Sequence, residues 1–249
     1  MPSPDTLAKD RLRAVRKSRR DPSLTQHDYL HLRAVVDGLA KAFAAVPKPV
    51  HDVLDVWCGS RPYDDLLPAG ARVVGLDIEG NPYGIADVVS NTFLPFLDDA
   101  FDLVTCIEAF QYVSDARHAV SEFARVLRPG GSVAISMVFA YEYDRRIPFE
   151  ARYTEQQLRE LFAGWDDVRV REDGGRTVTW TVLTASLLFG LEQRTRTLRG
   201  NRPLRAAFAS CYALLNSLGV VLARLEGGSE RSVSLPMNLT LTARKPRHA

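Results

Sequence analysis

Short runs of β-branched and aliphatic residues alternate with helical patterns along most of the chain, and this order constrains the fold most strongly. Such an alternation predicts an α/β domain with a mostly parallel sheet and helices on both faces. The last run, at 238–245, alternates apolar and polar residues, which is typical of an edge or antiparallel strand. The predicted strands cover residues 51–57, 71–77, 85–90, 101–107, 131–137, 166–172 and 238–245.

Helix signals separate several of these strands. Between the fourth and fifth, apolar residues recur at helical spacing, with Ser114 or Asp115 as the N-cap and Pro-Gly-Gly at 129–131 as the stop. Residues 154–157 have the pattern of a capping box that opens a second helix. Residues 24–46 are predicted to form an amphipathic helix over the top of the sheet.

The chain is predicted to have five segments. Apolar residues make up 46% and charged residues 25%, as in a soluble domain with a full core. The segments are a basic disordered tail at 1–23, a cap helix at 24–46, a Rossmann-like core at 47–172, a helical insertion at 173–233, and the last strand and tail at 234–249.

Positive charge is concentrated in two runs. Residues 9–20 hold seven Lys or Arg against one Asp, and five arginines lie between Arg194 and Arg205. Both runs can be solvated surfaces, or they can contact phosphates on lipid, on a phosphorylated substrate or on RNA. The net charge of +2 does not by itself indicate a nucleic-acid partner. We therefore expect no DNA partner, and RNA is disfavoured.

The insertion contains eighteen uncharged residues at 206–223, the lower limit for a membrane span. Polar residues at 210, 217 and 224 recur on one helical face, which indicates an amphipathic helix. The opposite face carries Phe208, Tyr212, Leu215 and Leu222. A lid or core helix is the favoured interpretation, and an interfacial helix, a dimer helix or a span are alternatives.

Cysteine usage and the N-terminus favour a cytoplasmic protein. Cys58, Cys106 and Cys211 show no paired framework and no metal spacing, which fits a reducing compartment. The basic, polar N-terminus lacks the apolar core of a signal peptide, so export is not expected. Peripheral membrane contact through residues 194–223 is left open, and the protein can be a monomer or a homodimer.

Polar residues follow the predicted strands at the edge where open parallel sheets bind ligands. The turn at 55–60 is expected to present backbone N–H groups to an anionic or zwitterionic tail. Asp77 is placed to accept hydrogen bonds from both ribose hydroxyls, and Asn91 from an adenine amino group. An acid in this place also occurs in dinucleotide-dependent oxidoreductases, but CGSRPY at 58–63 lacks their GxGxxG fingerprint.

Longer motifs carry a family resemblance. LPFLDDAFDLV, followed by IEAFQYVSDARHAVSEFARVLRPGGSVAIS, resembles the class I S-adenosylmethionine-dependent methyltransferases. WCGSRPYDDLL and IPFEARYTEQQL are similar to a bacterial CGxxPY branch of the type 11-like members, often found beside glycan and cell-surface polymer biosynthesis. The resemblance implies a seven-stranded sheet of order 3-2-1-4-5-7-6 with an antiparallel last strand. It also implies S-adenosylmethionine as cofactor.

The resemblance also assigns cofactor roles residue by residue. The methionine-side loop comprises Asp55, Trp57, Cys58, Gly59 and Ser60. The ribose site is Asp77 and Ile78, the adenine contact is Asn91 or Ser90, and Cys106, Ile107 and Glu108 lie beside the sulfonium.

Trp57 stands where the family has a glycine. If its φ is positive, the side chain costs on the order of 1–2 kcal/mol. If φ is ordinary, the indole must lie over the methionine tail or against the N-terminal helix.

The expected function is methyl transfer to a small-molecule, lipid-linked or glycan-type acceptor, with O-methylation favoured. The alternative is a non-catalytic binding protein in which Trp57 blocks the cofactor site. The sequence names no catalytic residue, and we expect no metal because His27 and His31 lack a third ligand at a recognisable spacing. Weaker candidates for substrate contact are Tyr29, Tyr141, Arg152 and Tyr153.

Overall fold

The structure is a computed structural model that describes residues 4–91, 94–143, 145, 148–195, 202–226 and 234–247. Within these residues seven strands form one sheet. They are β1 Asp52–Val56, β2 Arg72–Asp77, β3 Val88–Val89, β4 Phe101–Ile107, β5 Leu127–Val138, β6 Asp166–Asp173 and β7 Asn238–Arg244. Their order is β3-β2-β1-β4-β5-β7-β6, and β7 alone runs antiparallel to its neighbours. The predicted fold class, strand order and antiparallel last strand are confirmed.

Six α-helices are present in the described part of the chain. They are α1 Pro4–Arg20, α2 Tyr29–Ala45, α3 Ala116–Val126, α4 Glu155–Leu161, α5 Arg176–Thr195 and α6 Arg202–Glu226. α2 covers one face of the sheet over β5, β6 and β7, while α3 and α4 pack on the other face. α5 and α6 pack on each other and on α2. They form a third layer above α2.

α2 lies on the sheet through an apolar stripe. Val35, Leu39 and Phe43 are buried and recur at i, i+4 and i+8, the spacing of one helical face. This stripe packs on Val53 of β1 and Leu103 of β4. The helix begins at Tyr29, later than the predicted start at residue 24.

The predicted caps of α3 and α4 are present. The Asp115 side chain accepts a hydrogen bond from the backbone N–H of His118 at 2.9 Å. Thr154 and Gln157 form the reciprocal capping box at the start of α4. α3 ends at Val126, and the next residue already belongs to β5.

The N-terminus differs from the prediction, because most of the expected disordered tail is the helix α1. Arg16 Nε donates to the Ser60 carbonyl oxygen at 2.7 Å, and Arg20 pairs with Asp65 at 2.8 Å. Tertiary contacts of this kind stabilise helices that their own sequence would leave marginal. The basic run therefore lies beside the loop that follows β1.

α6 is not the simple amphipathic helix that its sequence predicts. Its buried face carries Tyr212, Asn216 and Gly219, whereas Leu222, predicted for the inner face, is 42% exposed. Further leucines and a valine lie on the outer face beside Ser217. Residues 196–201 of the arginine run lie outside the described residues.

Two helical glycines give a matched test of packing. A Cβ on Gly38 of α2 would lie 2.5 Å from Asp173 Oδ2, whereas one on Gly190 of α5 would meet nothing within 4 Å. Gly38→Ala should therefore lower the free energy of unfolding by about 1–3 kcal/mol, because no space is left for a methyl group between α2 and the Asp173 side chain. Gly190→Ala should raise it by about 0.5–1 kcal/mol, since alanine favours helix. Urea unfolding measures both, and stabilisation by both substitutions would contradict the close approach of α2 to β6.

Candidate functional site

A cavity of about 600 Å³ opens at the carboxyl ends of β1, β2 and β4. Its volume is in the range of small-molecule sites. Every predicted cofactor residue except Cys106 lines it, namely Asp55, Trp57, Cys58, Gly59, Ser60, Asp77, Ile78, Ser90, Asn91, Ile107 and Glu108. Cys106 is fully buried in the core between the sheet and α3. Side chains alternate along a strand, so Cys106 and its neighbour Ile107 point to opposite faces.

The carboxylate of Asp77 holds the loops around the cavity together. Its Oδ2 accepts hydrogen bonds from the backbone N–H of Gly59 at 2.8 Å and from Asn81 Nδ2 at 2.5 Å. Its Oδ1 accepts from the backbone N–H of Ile78 at 2.8 Å. Asn81 also donates to the carbonyl oxygen of Gly59 at 3.0 Å. The Cys58 thiol, a weak donor, lies 4.0 Å from Oδ2. A carboxylate has about four lone-pair sites, so Asp77 keeps capacity for one ribose hydroxyl, fewer than the two expected from the sequence.

The turn after β1 satisfies most of its own backbone donors. The N–H of Cys58 donates to the Leu76 carbonyl oxygen, that of Gly59 to Asp77, and that of Arg61 to the Cys58 carbonyl oxygen. The expectation that the turn at 55–60 presents its backbone N–H groups to a ligand tail is therefore wrong for Cys58 and Gly59. Two arginines line the cavity at this turn, Arg61 within it and Arg19 of α1. Arg19 is not among the predicted cofactor residues, because the segment that forms α1 is expected to be a disordered tail.

Non-glycine residues with left-handed backbone cluster at this cavity. Trp57, Arg61 and Glu108 have φ values of 56°, 51° and 54°. All three line the cavity. Such conformations cost of order 1–3 kcal/mol each and persist where surrounding contacts enforce them. Trp57 therefore has the positive φ for which a conformational cost is expected from the sequence.

The two indole positions predicted for an ordinary φ do not apply, because the φ of Trp57 is positive. The indole lies against Phe123 of α3, with ring centroids 6.3 Å apart and an interplanar angle of 61°. Trp57 is half-buried against the core on the α3 side. It therefore forms a wall of the cavity, and the cavity persists beside it.

Asp55 is a buried acid at the floor of the cavity. Its Oδ1 accepts a hydrogen bond from Thr105 Oγ1 at 2.8 Å. Burial raises the pKa of Asp55 to about 7, with the hydrogen bond from Thr105 opposing the shift. Near neutral pH this carboxyl group is therefore divided between its two protonation states.

Glu108 organises a polar cluster between the sheet and α2. Its Oε1 accepts from Ser136 Oγ and Asn238 Nδ2, both at 2.7 Å, and its Oε2 lies 3.2 Å from His31 Nε2. The His31 ring in turn packs against Tyr141 at a centroid distance of 4.8 Å. Glu108 faces the cavity, whereas His31 lies behind it. Ser136, Asn238 and His31 as partners of Glu108 were not predicted, because they come from distant strands and a helix.

The far end of the cavity is formed by the residues after β2 and the start of α3. Ile78 is 48% exposed there and offers an apolar surface. Asn91 Oδ1 already accepts a hydrogen bond from the Glu79 backbone N–H at 2.8 Å. The lining from the α3 side, which the sequence did not reveal, comprises Tyr112, Val113, Ser114, Asp115, His118, Ala119, Glu122 and Phe123.

The four candidates for substrate contact lie outside the cavity. Tyr29 and Tyr141 pack on a small apolar cluster below α5. Arg152 pairs with Glu150 and donates to the Tyr141 carbonyl oxygen, and Tyr153 packs on Phe110. Any role in acceptor binding stays a prediction. Within the described residues, no group of three His, Cys, Asp or Glu side chains is placed to hold a metal ion.

The sheet order and the acid-ended second strand define a Rossmann-like fold with a ligand cavity at its switch point. Comparison with known proteins specifies the family. The profile of a methyltransferase domain matches residues 54–135. A demethylmenaquinone methyltransferase from Mycobacterium marinum is 30% identical over 170 residues, which cover 56% of this chain and 74% of that protein.

Two further matches are one by sequence and one by structure. A demethylmenaquinone methyltransferase from Streptomyces avermitilis is 34% identical over 135 residues, 49% of this chain and 55% of that protein. The chain thus spans about half the length of this curated relative. The solved structure of the cyclase SpnF matches with a TM-score of 0.53 and 20% identity, over 88% of this chain and 82% of that one. This likeness extends to the fold alone.

The chain belongs to the class I S-adenosylmethionine-dependent methyltransferases. They are a family of enzymes whose cofactor is S-adenosylmethionine. The cavity fits this group, because Asp77 retains acceptor capacity for ribose and Ile78 exposes an apolar surface beside it. A Cβ on Gly59 would meet nothing within 4 Å, so the space above the loop is open.

Asp55 predicts how stability depends on pH. Its folded pKa of about 7 lies above the value of about 3.9 in an unfolded chain. Between these values the unfolded chain has lost a proton that the folded protein keeps, so wild-type stability falls as pH rises. Asp55→Asn removes this titration. The free energy of unfolding of the variant relative to wild type should therefore rise by on the order of 2–3 kcal/mol between about pH 5 and about pH 8. Denaturant unfolding at both pH values checks this, and a constant difference would contradict a raised pKa.

Proposed function

We propose that the protein is a cytoplasmic enzyme that transfers the methyl group of S-adenosylmethionine to a hydroxyl group of a small-molecule or glycan-type acceptor. The observation that carries the proposal is the Asp77 carboxylate, held by Gly59, Ile78 and Asn81 at the edge of a cavity of about 600 Å³. The bound cofactor supplies a methyl group activated by its positively charged sulfonium. Small-molecule acceptors are supported by the demethylmenaquinone methyltransferases among the relatives.

The charge of the cavity favours a cationic cofactor. Its acidic lining residues outnumber its basic ones, and this sign attracts a sulfonium and an amino group. The acids are Asp55, Asp64, Asp77, Glu108, Asp115 and Glu122, against Arg19 and Arg61. Arg61 is engaged with Asp64 and Asp87 at 3.1 and 2.9 Å, so Arg19 is the better partner for a ligand carboxylate.

Glu108 is the best placed group to receive a proton from the acceptor. It lies after β4, beside the expected position of the sulfonium, and it lines the cavity. Three partners, Ser136, Asn238 and His31, fix its orientation. Correct alignment supplies most of the rate in such a displacement, with effective molarities of roughly 10⁵–10⁸ M for well-oriented groups. Glu108 would add general-base assistance to that alignment.

The rival function is a non-catalytic binding protein in which Trp57 blocks the cofactor. The position of the indole supports a working site, because the ring lies against Phe123 and leaves the cavity open. The fold alone does not establish the reaction, since SpnF, which has a similar fold, is a cyclase.

Calorimetric titration with S-adenosylhomocysteine distinguishes these functions. Wild type should bind, and Asp77→Asn should lose at least about tenfold in affinity because one charge-assisted acceptor is gone. Asp37→Asn, at an exposed site on α2, is the matched control and should bind as wild type does. Trp57→Gly adopts the positive φ without strain. If only this variant bound the ligand, Trp57 would be a plug and the enzyme proposal would fail.

Glu108→Gln tests the proton acceptor. Release of S-adenosylhomocysteine is followed with a panel of phenols, quinols and sugars as acceptors. With any acceptor that wild type methylates, the variant should turn over about 10²–10⁴-fold more slowly. Its affinity for S-adenosylhomocysteine should change little, because the ribose and adenine contacts are intact. Equal turnover by both proteins would exclude Glu108 as the base.

A further inference from the structure

The outer face of α6 is apolar although it faces away from the protein. Leu214, Leu218, Val221 and Leu225 recur at i, i+4, i+7 and i+11, so they form one stripe along the helix. Leu214 and Leu225 are 73% and 76% exposed. Single exposed apolar residues are ordinary on a protein surface, but an aligned row of large ones marks a site of contact.

α5 extends this apolar surface. Trp180, Leu187 and Leu191 lie on its outer face at i, i+7 and i+11, and each is more than half exposed. Both helices pack on each other and on α2, so both outer faces point away from the sheet. We call these outer faces of α5 and α6 together the apolar platform.

Exposed arginines lie at the two ends of α6, and its one acid, Glu226, accepts a hydrogen bond from the Thr177 backbone N–H at 2.9 Å. Arg202 and Arg205 are exposed in its first two turns and Arg224 in its last turn, while residues 206–223 carry no charge. By helical spacing Arg205 lies on the side of α6 opposite Leu214, whereas Arg202 and Arg224 lie nearer to the apolar stripe. An apolar face with arginines near its two ends is the pattern of a helix that lies in the plane of a membrane surface. Each arginine near an anionic leaflet adds attraction, and its long side chain reaches the headgroups.

Polar contacts on the inner face hold α6 on the protein. Asn216 is fully buried, and its Nδ2 donates to the carbonyl oxygens of Leu24 and Gln26, both at 2.8 Å. Tyr212 OH donates to Glu192 of α5 at 2.9 Å. A Cβ on Gly219 would lie 2.7 Å from Leu30, so α6 also packs closely on α2. By length and composition α6 could cross a membrane. These contacts place it flat on the domain instead.

We propose that the apolar platform docks on a lipid bilayer with anionic headgroups. A second copy of the chain is a poorer occupant, because antiparallel pairing of two α6 helices would bring Arg202 of one beside Arg224 of the other. Anionic lipid complements that charge, and the leucines gain apolar surroundings. The inference does not depend on methyl transfer and would stand if no cofactor bound.

Co-sedimentation with vesicles tests the proposal. Wild-type protein should sediment with phosphatidylglycerol–phosphatidylcholine vesicles and much less with phosphatidylcholine alone. Leu214→Ser/Leu218→Ser should weaken binding about tenfold or more, from the apolar area removed. Leu97→Ser is the control, because Leu97 is 84% exposed in a loop that packs on the α3 side. It should bind as wild type does.

The charge contribution is measured separately. Arg202→Gln/Arg224→Gln should weaken binding to anionic vesicles by about fivefold per arginine and leave binding to phosphatidylcholine unchanged. Circular dichroism of every variant establishes that it is folded. Failure of wild type to bind anionic vesicles, or equal binding by the Leu214/Leu218 and Leu97 variants, would overturn the proposal. A dimer in sedimentation velocity that the Leu214→Ser/Leu218→Ser substitutions abolish would assign the platform to a second copy and overturn it too.

Discussion

The carboxylate of Asp77 is the constraint on which the site depends. By accepting hydrogen bonds from Gly59, Ile78 and Asn81, it ties the loop after β1 to the end of β2. Hydrogen bonds to an ionised group are among the stronger ones in proteins, about 1.5–3 kcal/mol each. The cavity is therefore shaped by the protein itself, and a ligand does not need to order these loops when it binds.

α2 connects the other parts of the molecule to that site. One face packs on the sheet, and its first turn carries His31 to within 3.2 Å of Glu108. α5 and α6 pack on the same helix, and Asn216 of α6 donates hydrogen bonds to the linker between α1 and α2. α1 reaches back to the loop after β1 through Arg16. The helical insertion, the N-terminal helix and the candidate site are thus all linked to α2 or to the linker before it.

The sequence was sufficient where structure follows from local patterns. The strands, the caps at Asp115 and Thr154, and the position of Asp77 follow from residue order and spacing. The sequence was not sufficient to predict the direction of each side chain. An error of one residue in a strand places a side chain such as that of Cys106 on the wrong face, away from the cavity. Tertiary contacts were the hardest feature to predict from the sequence. α1 gains its order from acceptors on another loop, and the partners of Glu108 come from elements far apart in the chain.

The left-handed residues around the cavity bear on how such proteins are recognised. A glycine motif reflects a backbone conformation, and in this chain that conformation persists at Trp57, where the family has a glycine, and also occurs at Arg61. Neighbouring contacts hold each residue there: Phe123 packs on the indole, and Asp64 and Asp87 pair with the guanidinium. Relatives that have exchanged these glycines for larger residues will therefore escape a search for the motif. In this chain the pair of positive φ angles, together with the side chains that hold them, stands in place of the motif.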